Sequence, residues 1–215
     1  MTNTEKEKFC LLAAQLISPP DEQLFAELAE GSIWSFLSEI ITECGGYPQN
    51  FAHHFFPNPS QDFILNLSRE YEFLFTDIQG EKISLVESTY KKWTTDQSCS
   101  LAYANHYGLL QGDYALHMAE IYRQLSINVP PEFRATPDHL ILELEFLSLL
   151  FRYATPQQTQ IFIADHLDWV AELKEVIDRV RPNSFYSRII ELIILFLSYE
   201  KKEGADQIYE SSSIP

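Results

Sequence analysis

The chain has 215 residues, 46% hydrophobic and 21% charged, a balance that describes a folded globular protein and excludes a disordered one. With 15 basic residues against 31 acidic ones, its formal charge is -16, the wrong sign for a nucleic-acid binder. Only 7 glycines are present, which argues against a sheet-and-turn architecture and against phosphate-cradling loops.

The opening MTNTEKEKF has no basic stretch leading into an apolar one, so no secretory signal is expected and the chain is expected to be cytoplasmic. Cys10, Cys44 and Cys99 are odd in number and far apart, which fits thiols in a reducing compartment. Phe9, Leu12, Ala13, Leu16 and Ile17 recur at helical spacing, and Ser18-Pro19-Pro20 ends that helix. Asp21 is placed to cap the next, which runs through Leu24, Phe25 and Leu28 to Ile41 with a break at Gly31-Ser32. Gly45-Gly46 stops it, and Asn58-Pro59-Ser60 opens a helix carrying Phe63, Ile64, Leu67, Tyr71, Leu74 and Phe75.

Residues 76 to 97 lose the helical period and read as a long, mobile loop with at most one helical turn, the kind of segment that carries function. Helices are predicted over Cys99–Leu110 and Tyr114–Leu125, and residues 128 to 136, with Val129-Pro130-Pro131, form a linker where a hinge would sit. Thr136 is an N-cap type and Pro137 suits a first helical position, so a helix is predicted from there to Tyr153 with Asp138 in its first turn. Two more are predicted, from Pro156 to about Arg181 and from Pro182 to Glu200. The longest apolar run, Ile189 to Leu197, is too short to span a bilayer and is interrupted by Glu191, so no membrane insertion is expected. The expected fold is all-α: one bundle-like domain of about 8–10 helices and no sheet over residues 1–202, then a polar, frayed tail over 203–215.

Chemistry is sparse. There is no G-x-S-x-G elbow and no nucleotide-binding glycine motif. Glu143 and Glu145 are two apart on a helix and point in different directions, so they make no catalytic dyad. His139 and Glu143 are four apart and share a face, and with Asp138 they could hold an ion. His53-His54 or Asp165-His166 would be further donors. No strong zinc spacing appears, so the expectation is no metal and no cofactor; a small metal-dependent helical hydrolase is the alternative from another class. Peptide binding fits better: Tyr71 to Phe75 and Leu85 to Trp93 place aromatics beside the loop, which suits an apolar groove rimmed by acids.

The order of these pieces carries a resemblance. A helix ends in Tyr71-x-x-Leu74-Phe75, and a loop follows with Glu87-Ser88-Thr89-Tyr90. Pro137-Asp138-His139-Leu140 then opens Glu143-Leu144-Glu145-Phe146-Leu147, and His166-Leu167-Asp168-Trp169 lies further on. This arrangement resembles the TorD/DmsD/NarJ family of molybdoenzyme maturation chaperones over about residues 8 to 200. The resemblance implies a cytoplasmic, non-enzymatic chaperone that binds the signal peptide, often a twin-arginine one, or the apoprotein of a molybdopterin oxidoreductase, and holds it until cofactor insertion and export. A client without a twin-arginine leader is the alternative within the family. The resemblance places peptide binding at Tyr71, Leu74, Phe75, Ser88, Tyr90, Asp138 and His139, and Glu87, Pro137 and Glu143, in the same motifs, are further candidates. In this reading a carboxylate such as Asp138 takes a leader guanidinium, and the negative surface speeds the encounter. The protein would act as a monomer or as a helix-swapped dimer.

Overall fold

A computed structural model describes residues 1–55, 61–76 and 82–212. The described residues contain ten α-helices and no sheet, as expected. Helix α1 (Asn3–Leu16) starts in a capping box in which Thr2 and Glu5 satisfy each other's backbone N–H groups. Asp21 caps α2 (Glu22–Ala29), and Gly31 at φ 76 makes the predicted break before α3 (Ser32–Glu43). A short α4 (Gln49–Phe55) was not anticipated; the Gly45-Gly46 stop is followed closely by a new start. Helix α5 (Gln61–Tyr71) continues through one π-turn, Glu72–Thr76, which turns Leu74 and Phe75 into the core.

The remaining helices are α6 (Asp113–Gln124), α7 (Leu140–Tyr153), α8 (Pro156–His166), α9 (Val170–Val180) and α10 (Phe185–Ser212). α7 is the hub. Leu140, Leu144, Leu147 and Phe151 are buried along it, and it lies against α1. α10 closes the other side, where Phe196 meets Phe9 at 4.3 Å and Phe151 at 5.9 Å between ring centroids. Such contacts make a single apolar core, the dominant favourable term in folding. No described helix is long and apolar enough to cross a membrane.

Four local expectations need correction. The helix predicted over Cys99–Leu110 is absent: the segment is turns and bends. Its apolar Leu101, Tyr103, Tyr107 and Leu110 are exposed, so their helical spacing had no core to face. The backbone instead pairs back on itself, with Trp93 N donating to His106 O at 2.9 Å and Thr94 N to Ala104 O at 3.1 Å.

The helix predicted from Pro156 to Arg181 is two helices. Leu167 and Trp169 are both buried at the break, and the Trp169 indole N–H donates to His166 O at 2.9 Å, taking the carbonyl that a continuing helix would use. α7 begins at Leu140 with His139 as its cap, so Pro137 and Asp138 precede the helix rather than open it. Helix α10 runs on past Glu200 to Ser212, although residues 203–212 look too polar to be held.

Gly112 matters through a close approach. A Cβ there would lie 2.4 Å from the Trp93 carbonyl oxygen. The same oxygen accepts from Asp113 N at 2.9 Å, and the Asp113 carboxylate accepts from Thr94 Oγ1 and Thr95 N. Gly112→Ala is expected to push this loop away and cost about 1–3 kcal/mol, read as a lower urea midpoint at unchanged m-value.

Candidate functional site

The segment Lys82 to Tyr90 is the pivot of the site. It has no regular structure apart from a 3₁₀ turn at Glu87–Thr89, yet Ile83, Leu85, Val86, Glu87 and Ser88 are all buried. From Lys82 to Tyr90 the expected mobile loop is therefore a packed strap, and residues 77–81 of that expectation lie outside the described residues. Four backbone bonds tie it down: Ile83 N to Leu74 O at 3.0 Å, Glu87 N to Asp138 O at 3.0 Å, Leu140 N to Leu85 O at 2.8 Å and Gly108 N to Thr89 O at 3.0 Å. Val86 and His139 form an isolated antiparallel bridge.

One face of the strap borders an open cleft of about 460 Å³. Tyr71, Phe75, Leu85, Leu110 and His139 line it. Beneath it Tyr71, Phe75 and Tyr186 form a triangle of edge-to-face rings 5.2 to 5.5 Å apart. Lys82 is the charged side chain among its described lining, so the expected acidic rim is not found there. His139 Nδ1 accepts from Ile141 N at 3.2 Å, and burial, then the Lys82 charge, lower its pKa to about 4. The ring is neutral at pH 7, and its proton sits on Nε2.

The opposite face of the strap meets a buried polar network. Asp138 is fully buried, and one carboxylate oxygen accepts from Ser88 N at 2.8 Å. Burial raises its pKa, and the bonds from Ser88 pull against that rise. Glu87, also fully buried, meets Lys91 Nζ at 2.7 Å and His166 Nδ1 at 2.8 Å. His166 Nε2 in turn meets His117 Nδ1 at 2.8 Å. Burial and the neighbouring His166 lower the His117 pKa, which keeps that ring neutral.

Glu143 is fully buried beside Glu87. Burial and the Glu87 charge raise its pKa well above the usual carboxylate range. Trp169 Nε1 donates to it at 3.3 Å. Burial pulls Lys91 down, but Glu87 and Asp168 outweigh that, and it stays charged.

The residues singled out in the sequence thus fall into two groups. Tyr71, Phe75 and His139 line the cleft. Leu74 and Pro137 are buried packing, and Tyr90 bonds Ser84 O at 2.7 Å while stacking on Trp169 at 4.9 Å. Glu87, Ser88, Asp138 and Glu143 lie behind the strap. The trio Asp138, His139 and Glu143 does not converge: their polar atoms turn to Ser88, Ile141 and Trp169 respectively. His53 and His54 lie outside the residues whose side chains are described. Sequence reasoning missed Lys91 and Lys82. A lysine four residues after Glu87 was the available signal for the first.

Residues 46–183 match the profile of a family described as nitrate reductase delta subunit. The chaperone protein TorD of Shewanella piezotolerans is 28% identical over 91 residues, which cover 42% of this chain and 42% of that protein. The match therefore spans less than half of the relative's length. A crystal structure described as a candidate redox enzyme maturation protein from Archaeoglobus fulgidus has the same overall fold, with a TM-score of 0.51 and 20% identity over 92% of this chain and 91% of that one.

Proposed function

This chain belongs to the nitrate reductase delta subunit family, and on that ground we propose that it is an assembly chaperone for a molybdopterin oxidoreductase. It binds the N-terminal leader of the apoenzyme at the Tyr71–Phe75–His139 cleft and holds it until the cofactor is in place. The observation that carries this reading is the cleft itself: an open, aromatic-floored space on a chain whose sequence offers no nucleophile or nucleotide motif.

The geometry also divides the labour of recognition. A leader's apolar stretch suits the rings and leucines of the cleft. Its arginines do not find Asp138 there, because that carboxylate faces inward and holds Ser88. Their partner is the acidic surface at large, which at a net charge of -16 accelerates encounter and makes it salt-sensitive.

Calorimetry with the leader of a molybdoenzyme encoded beside this gene tests the reading, with a Kd of about 1 μM or tighter expected. Leu110→Asp puts a charge on an exposed cleft residue and is expected to abolish binding while leaving the fold intact. Asp138→Asn keeps an acceptor for Ser88 N and is expected to bind leader as the wild type does. Asp138→Ala removes that acceptor, costs about 1–3 kcal/mol of stability and loosens the strap. If Asp138→Asn loses binding with its fold unchanged, the carboxylate does contact the leader.

A second reading has its own observation. Leu125 and Ile161 are exposed in a groove of about 290 Å³ between α6 and α8, which suits contact with the client's folded body. Capture of leader-deleted apoenzyme by the wild type, undiminished by Leu110→Asp, separates the two.

A further inference from the structure

We propose that Glu87, Glu143 and His166 form a closed site for one divalent transition-metal ion, with zinc as the best fit. One ligand atom from each side chain lies within 4.8 Å of the others. Each comes from a different element: Glu87 from the strap, Glu143 from α7 and His166 from the end of α8. All three are buried. Two carboxylates in a dry interior demand positive charge between them, and Lys91 supplies it to Glu87 alone.

The supporting contacts are those a metal site requires. A ligating histidine uses one ring nitrogen on the ion and donates the other N–H to a fixed acceptor. Here His166 Nδ1 faces the carboxylates, while Nε2 lies 2.8 Å from His117 Nδ1. With an ion on Nδ1, the imidazole proton resides on Nε2 and is donated to His117. Lys91 Nζ holds the far oxygen of Glu87, and Trp169 Nε1 holds one oxygen of Glu143.

The Glu143 carboxyl lies within hydrogen-bond reach of the Glu87 carboxylate, and no N–H or O–H among the described residues faces its buried Oε1. Two buried acids in such contact are held together by a shared proton or by a cation, and the histidine beside them makes the cation a chelated one. Two-point binding by Glu143, with Glu87 and His166, completes the four donors zinc prefers. No position is left for a substrate, so the site is structural rather than hydrolytic. An ion reaches it along the α6–α8 groove, whose lining includes His117, Asp165 and His166. Once bound, it fastens the strap to α7 and α8.

The test is zinc retention after chelator stripping, reloading and gel filtration, with cobalt(II) as a spectroscopic probe. The wild type is expected to keep about one equivalent of zinc, to show cobalt bands of a four-coordinate N/O site and to melt several degrees higher when loaded. Glu143→Gln is neutral and nearly isosteric, so it is expected to fold as the wild type does, by circular dichroism, and to lose the bound equivalent. His166→Gln is the second variant, with the same expected loss. No zinc retained by the wild type overturns the site and leaves a proton to close the cluster. Full retention in both variants also overturns it, and places the zinc on other side chains such as His53 and His54.

Discussion

In the chelator-stripped protein, Lys91→Met is expected to lower folding stability by about 3–5 kcal/mol, because it leaves the buried Glu87 carboxylate without its ammonium. Lys91 Nζ meets Glu87 Oε1 at 2.7 Å, Asp168 Oδ1 at 2.5 Å and the Asp165 carbonyl at 2.7 Å, and it lies over the Tyr114 ring at 4.0 Å. One ammonium thus joins the strap to the α8–α9 junction. Methionine keeps most of the buried stem and removes the charge, so the loss reports the ion pair rather than a cavity.

Glu87→Gln in the same chain removes the orphaned charge and is expected to return a large part of the lost stability, since a buried pair replaced on both sides is often nearly neutral. Urea unfolding of both single variants and the double variant measures the coupling. A cost below about 1 kcal/mol for Lys91→Met would place the pair with solvated surface pairs and remove the strap's anchor.

His139 makes the fold acid-sensitive in a defined window. Its ordinary pKa is 6.5 and its folded value is about 4, lowered by burial and then by Lys82. Between those values the unfolded chain takes up a proton that the folded chain refuses. Stability from this group is therefore fully present above pH 6.5 and is lost as pH falls toward 4, by about 3 kcal/mol in total.

His139→Asn keeps a cap on α7, since asparagine is a preferred N-cap and its side-chain oxygen can accept from Ile141 N. It removes the titration. The stability difference between wild type and variant is expected to move by about 3 kcal/mol in the variant's favour from pH 7 to pH 4. Other titrating groups cancel in that difference. Parallel pH slopes for the two proteins would show that His139 accepts a proton without penalty.

The proposed leader cleft and the acid sensitivity then share one residue. His139 caps α7, bridges to Val86 and lines the cleft. Its neutral ring offers the cleft a single N–H donor.

The amino-acid sequence by itself determined the all-helical class and most helix boundaries. Asp21 caps where it was expected to, Gly31 breaks the chain, and Pro19-Pro20 and Gly45-Gly46 stop helices. These are local effects, decided by a residue's own backbone preferences and its neighbours within one turn. The ordered motifs also fall on segments that the fold brings together: the Tyr71–Phe75 helix end, the 83–90 segment and the start of α7.

Which way those motifs face was decided by the tertiary structure alone. Thr136, Pro137 and His139 all offer plausible helix starts, and the Leu140 N to Leu85 O and Glu87 N to Asp138 O bonds choose His139 as the cap. Those partners are more than fifty residues apart in sequence, beyond the reach of any helical period. The same bonds turn Asp138, Glu87 and Ser88 inward and leave His139 on the cleft. Trp169 splits α8 from α9 for a related reason: its indole finds both the His166 carbonyl and Glu143, and only the folded chain brings Glu143 there.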